Sequence, residues 1–171
     1  MIGLPAFLGS PKSLWRVLSQ IPGDSLRAPI DVFQEEARRG EGLNRMVRRY
    51  TIALIAMLAQ TAACNRLHSL EERMCRWLLM TRDRVDADDF PLTQEFLGQM
   101  LGVRRPSVSL ASASLQKAAR IKYSRGRITI TNRTSLESAS YECYAIVRRR
   151  YDEALNPNSH HDSKRGQEVT A

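Results

Sequence analysis

The stretch that decides the fold is "MLGVRRPSVSLASASLQ", Met100 to Gln116. Apolar residues at helical spacing (Phe96, Leu97, Met100, Leu101) run up to Gly102 and stop. A glycine there can take the left-handed conformation that ends a helix without a Cβ clash. Val103 returns to the core, and a new helix opens near Arg104 or Arg105. Pro106 is tolerated in that first turn, where a backbone N–H has no intrahelical acceptor. Val108, Ala111 and Leu115 form its inward stripe. Arg105, Ser107, Ser109, Ser112 and Gln116 are expected on the other side. Helix, glycine turn and second helix in this order predict a helix-turn-helix, with Thr93 capping its first helix.

The segment that follows strengthens that reading. In "ARIKYSRGRITI", Ile121 and Tyr123 precede a Ser-Arg-Gly-Arg turn, and Ile128 and Ile130 follow it. Alternation around a glycine-bearing turn predicts a β-hairpin. A hairpin directly behind the second helix is a wing, and Lys122, Arg125 and Arg127 are expected at its tip. Upstream, Ser69-Leu70-Glu71-Glu72 reads as a capping box that opens another helix, with Met74, Trp77, Leu78 and Leu79 toward the core. "RDRVDADDFPL" reads as a polar connection that returns Phe90 and Leu92 to the interior.

Charge points to a partner. The chain of 171 residues carries a net +8. Residues 91–150 hold 11 Lys and Arg against 3 Asp and Glu, which accounts for the whole excess. A positive field confined to one small unit fits a polyanion, with nucleic acid the first candidate. A second helix with arginines at its N-terminus suits the major groove, where Arg pairs with guanine in bidentate fashion. The expected base contacts are Arg105 and Ser109. The expected phosphate contacts are Thr93, Arg104, Ser107, Lys117, Lys122, Arg125 and Arg127.

Residues 43–66 form the longest helical stretch. Val47, Tyr50, Leu54, Met57 and Thr61 advance in alternating steps of three and four, with Cys64 next. Ile52, Ile55 and Leu58 make other sides apolar. One face can pack within the subunit while another meets a partner helix. Dimerisation through the Val47–Thr61 stripe is expected, because the short N-terminal segment offers little to cover several apolar faces. Residues 1–30, rich in Pro and Gly, read as loops with one or two strands around "LWRVLSQI". The tail "NPNSHHDSKRGQEVTA" is polar and aperiodic, and disorder is expected there.

Other chemistries find little support. No apolar run reaches membrane-spanning length and no basic-then-apolar leader opens the chain, so a cytoplasmic protein without membrane contact is expected. Three cysteines (Cys64, Cys75, Cys143) at wide spacing suggest no disulfide framework. They read as buried thiols, and His68, His160 and His161 do not supply a metal set by spacing. No Ser-His-Asp, Cys-His, paired-carboxylate or phosphate-loop arrangement argues for an enzyme. The Asp86-Asp88-Asp89 cluster reads as solvated linker. Neither a metal nor any other cofactor is expected.

At this point the chain resembles a known family. Residues 69–131 resemble the C-terminal winged-helix domain of the Crp/Fnr superfamily of bacterial transcription regulators. The resemblance rests on "LEERMCRWLLMTRDRV", "LTQEFLGQMLGVRRPSVS", "LQKAARIKYSRGRITI" and "LESASYECY". "MIGLPAFLG" and "IPGDSLR" are similar to the end of the β-roll sensor in one branch, and residues 43–66 to its dimerisation helix. The resemblance implies a mainly α fold with a small β component. Its parts would be a β-roll remnant (1–40), a dimerisation helix (41–68), a winged helix-turn-helix (69–152) and a disordered tail (153–171). It implies a truncated regulator, because the front of the β-roll is missing. The implied partners are a second copy, a palindromic operator in double-stranded DNA, and RNA polymerase or a full-length homologue. The alternative is an interaction module that pairs with such a homologue and modulates it.

Two departures limit what carries over. The stretch around Ser13-Leu14-Trp15 lacks the family's Gly-Glu and Arg-Ser/Thr-Ala cyclic-nucleotide cassette, and the redox members' N-terminal cysteine cluster is absent. In the recognition helix, the best-known members have Arg-Glu and a further Arg four residues after the Glu. This chain has Arg105, but Pro106 and Leu110 in the other two places.

Overall fold

A computed structural model of the chain describes residues 2–10, 12–13, 17–19 and 23–155. In chain order the elements are α1 (Leu4–Phe7), α2 (Ile30–Arg39), α3 (Glu41–Leu67), α4 (Leu70–Val85), β1 (Asp89–Pro91), α5 (Gln94–Leu101), α6 (Arg105–Lys117), β2 (Ile121–Ser124), β3 (Arg127–Ile130), α7 (Arg133–Ala139) and α8 (Tyr141–Leu155). The fold is mainly α with one small sheet. Its contacts divide it into two units, Ala56–Arg150 and the remainder. The larger unit takes in the last turns of α3 because Arg76 of α4 donates to Thr61 (3.2 Å) and Gln60 donates to Cys143 of α8 (3.2 Å).

The larger unit is organised by α4. Its capping box forms as expected: the Ser69 hydroxyl accepts from the Glu72 N–H (3.3 Å), and the Glu72 carboxylate accepts from the Ser69 N–H (2.8 Å). Met74, Leu78 and Leu79 of α4 are fully buried with Phe90, Leu97, Val108, Leu115, Ile128 and Leu136. Each such side chain contributes roughly 1.5–3 kcal/mol by leaving water. Cys75 lies in the same core, and burial pushes its thiol up to about 12. Tyr144 of α8 anchors that helix to the body: its hydroxyl donates to Asp83 and accepts from Arg133 (3.0 Å).

The sheet is antiparallel with order β1-β3-β2. Tyr123 and Phe90 both lie opposite Ile128, on its two sides. The hairpin turn has φ of 49° at Arg125 and 74° at Gly126. Positive φ at both central residues is the two-residue turn whose twist matches its strands. β1 corrects the sequence reading, which placed a connection there. Only Phe90 is buried in it, between exposed Asp89 and Pro91. Three residues are too few for a period-two signal, and the strand is defined by pairing with distant β3. Pro91 is acceptable because β1 is an edge.

In the other unit, Phe7 packs edge-on against Phe33 (centroids 6.4 Å apart), and Gln34 donates to the Ala6 carbonyl (2.8 Å). Among the described residues of 1–40 there is no strand. A strand must pair its backbone groups with a neighbour, and the described strands all belong to the sheet above. Leu14–Arg16, Gln20 and Ile21, within the stretch expected to form strands and lack the nucleotide cassette, lie outside the described residues. So do residues 156–171, the bulk of the expected disordered tail. Residues 153–155 are helical, the end of α8, with Ala154 buried.

α3 also revises the expected dimer face. Val47 is 1% exposed within its own chain. Tyr50 packs against Tyr151 (6.5 Å), Thr61 accepts from Arg76, and Leu54 and Met57 are half-buried. The stripe with alternating three- and four-residue steps is thus used inside the chain. The large apolar residues of α3 left exposed are Met46, Ile52 (66%), Ile55, Leu58 and, at its last position, Leu67. A seam of this kind looks the same whether it meets its own chain or another.

Candidate nucleic-acid interface

The turn between α5 and α6 is fixed by backbone chemistry. Thr93 caps α5, its hydroxyl oxygen accepting from the Phe96 N–H (3.2 Å). Gly102 takes φ 67°, ψ 36°. The Val103 N–H reaches back to the Gly98 carbonyl (2.9 Å) and the Gly102 N–H to that of Gln99 (3.4 Å). This paired closure satisfies two carbonyls that the helix end would orphan. Gly98, which sequence reading passed over, is equally constrained. A Cβ there would lie 2.8 Å from the Val103 carbonyl oxygen. Its signal was the cost of a glycine inside a helix, accepted only for a packing reason.

α6 then starts at Arg105 with Pro106 in its first turn. Val108, Ala111 and Leu115 are buried, as their spacing predicts. Ser112 is buried with them, at 1% exposure, and not on the outer side as expected. A small hydroxyl residue at the margin of a helical stripe fits either environment, and close packing decides. The outward face carries Arg105, Pro106, Leu110, Ala113, Gln116 and Lys117. Leu110 is 75% exposed.

The predicted contact residues fall into two groups. Arg104, Arg105, Lys117, Lys122 and Arg125 are exposed and have no acidic partner among the described residues. Thr93 uses its hydroxyl oxygen as a cap and keeps its O–H proton to donate. Ser107 is half-buried on the first turn of α6. Two others are committed within the chain. The Ser109 hydroxyl donates to the Gln94 side-chain oxygen (2.7 Å), which ties α6 to the first turn of α5. Arg127 pairs with Asp89 across β3 and β1, its Nε donating at 3.1 Å. That bond, with a second from Thr129, holds the Asp89 carboxyl below the usual range. Arg127 is therefore a sheet residue and not part of the tip.

The hairpin is clamped to α6. The Gln116 side-chain oxygen accepts from the Tyr123 N–H (2.9 Å), and the Tyr123 hydroxyl donates to the Leu92 carbonyl (3.1 Å). Neither Gln94 nor the Gln116 clamp has a sequence signal, since both partners arrive by tertiary packing. The result is an exposed helix start with two guanidinium groups that have no acidic partner among the described residues, and a basic hairpin clamped behind it.

Comparison with known proteins bears on this geometry. Residues 72–139 match the family description "Crp-like helix-turn-helix domain". The matched segment runs from the first turn of α4 through α7, which includes both helices of the motif and the hairpin. A similar solved structure is a chain from Eubacterium rectale described as a transcriptional regulator of the Crp/Fnr family. It shares 22% identity at a TM-score of 0.49, over 66% of this chain. This chain spans about half (52%) of the length of that one. No curated protein matches the chain. No helix among the described residues is long and apolar enough to cross a membrane.

Proposed function

We propose that this chain is a homodimeric, sequence-specific DNA-binding transcription regulator. α6 lies in the major groove with its N-terminal end toward the base edges. Arg105 reads a guanine. Leu110, exposed one turn further on, meets a thymine methyl, in place of Ser109, whose hydroxyl is held by Gln94. Arg104, Ser107, Lys117 and Thr93 hold phosphates around the helix, and Lys122 and Arg125 hold flanking phosphates from the hairpin. The observation that carries this reading is the exposed, acid-free pair Arg104-Arg105 at the N-terminus of α6. Two such helices, joined through the exposed Ile52, Ile55 and Leu58 of α3, would enter successive grooves roughly 34 Å apart.

Selection of bound duplexes from a random pool tests this directly. The expected product is a palindrome with half-sites about one helical turn apart and a guanine in each. Recovery of no common sequence at low salt would overturn the reading. The same exposed α3 face also favours a second one, pairing with a full-length homologue. Light scattering of the chain alone and mixed with such a homologue separates them: a dimer alone supports the first, a dimer only in the mixture the second.

A further inference from the structure

The wide cysteine spacing argued against a metal set, but the fold reverses that arithmetic. Cys64 and His68 stand four residues apart across the end of α3. α8 brings Cys143 to them. The two Sγ atoms and a His68 ring nitrogen all lie within 4.8 Å of one another. We propose that Cys64, His68 and Cys143 bind a thiophilic divalent cation, with Zn(II) the best fit to the donor set.

Three features beyond proximity support the assignment. First, the histidine is oriented. Its Nδ1 faces the Glu72 carboxylate (3.1 Å) and its Nε2 faces Cys143 Sγ (3.2 Å). A carboxylate on one ring nitrogen fixes the tautomer and aims the other lone pair, as it does for metal-bound histidines. Second, the distances nearly close. Tetrahedral ligands at about 2.3 Å (sulfur) and 2.0–2.1 Å (nitrogen) stand about 3.5–3.8 Å from each other. Rotamer shifts of about an ångström bring this trio to that spacing. Third, the surroundings suit thiolates. Cys64 and Cys143 are 1% and 2% exposed. The Gln60 amide donates to both sulfurs, at 3.5 and 3.2 Å. The Tyr141 ring, 5.4 Å from that of His68, covers the imidazole. On binding, each thiol gives its proton to solvent and forms a metal–sulfur bond, and water takes the fourth position. The ion would staple α3 to α8, and through Glu72 to the start of α4.

The test uses the full chain, reduced and metal-free, titrated with Zn(II) against a chromophoric chelator and separately with Co(II). The expected result is one ion per chain, micromolar affinity or tighter, and thiolate-to-Co(II) charge-transfer absorption. Cys64→Ser and Cys143→Ser should each weaken binding at least about 100-fold. Glu72→Gln should weaken it about 10–100-fold, the usual effect of losing a histidine's carboxylate partner. Cys75→Ser and a His160→Ala/His161→Ala double variant should bind as wild type. Circular dichroism confirms that each variant is folded. Zn(II) affinity unchanged in the Cys64→Ser/Cys143→Ser double variant overturns the proposal. So does a Co(II) complex without thiolate bands. A Cys64–Cys143 disulfide in air, with no metal affinity after reduction, also overturns it.

Discussion

The start of α6 and the β2–β3 hairpin carry similar charge in the sequence and deliver it differently in the fold. At α6, Arg104 and Arg105 both stand in solvent with no acidic partner among the described residues. In the hairpin, Arg127 is exposed but paired with Asp89, which leaves Arg125, with Lys122 on the neighbouring strand, as the cations without an acidic partner among the described residues. The difference lies in backbone setting. A helix N-terminus projects its first residues beyond the last packed turn, away from the side chains that could pair with them. A residue on a strand lies beside its cross-strand neighbours, where an opposite charge is within reach. Basic residues counted along the chain therefore overstate the charge that the hairpin can offer a phosphate.

Removing the turn that projects α6 should have the largest effect. Gly98→Ala puts a Cβ against the Val103 carbonyl. It should cost about 1–3 kcal/mol of stability through overpacking, seen as a lower melting temperature. Binding to a selected operator should fall with it, because α6 can no longer hold its angle to α5. The next largest effect belongs to Arg105→Ala. It should cost about 1–3 kcal/mol on a selected site and relax preference at one base position. Competition binding against single-base operator variants reads both. Equal weakening on every sequence would place Arg105 on a phosphate and remove the distinction between helix and hairpin.

Much of the winged unit was legible before any coordinates. Gly102 marked the end of α5, Val108-Ala111-Leu115 marked the buried side of α6, and Arg125-Gly126 marked the hairpin turn. Each signal is local, because capping, helical periodicity and turn geometry are set by neighbours in the chain. What was missed depends on distant partners. β1 exists because of β3, Ser109 is held by Gln94, and Cys143 reaches His68 only through α8. The α3 seam is a different case. Its spacing was read correctly, but an apolar stripe does not record whose surface covers it.

Arg125→Ala tests the hairpin's share. It should weaken binding a few-fold on all sequences alike and lower the salt slope of log K by about one unit. Fluorescence anisotropy over a salt series checks it. If the loss depended on sequence, the hairpin would be reading bases or groove width, and the contrast with α6 would narrow.

The smallest effect should come from Asp89→Asn, which asks whether the captive cation can be released. Without the carboxylate, Arg127 joins Arg125 and Lys122, so the salt slope should steepen slightly and affinity rise on every sequence. The substitution should also change the acid response. Arg127 and Thr129 lower the Asp89 carboxyl from its ordinary value. The ion pair thus adds stability at neutral pH and at any pH above the usual carboxylate range, and loses it as pH falls through the depressed value. The group is exposed, so the contribution is small. Denaturation of wild type and Asp89→Asn should differ slightly at neutral pH and converge in strong acid. Unchanged salt dependence would mean that Arg127 points along the sheet with or without its partner. Lys122 and Arg125 would then be all that the hairpin can offer, fixed by strand geometry and not by the charge of Asp89.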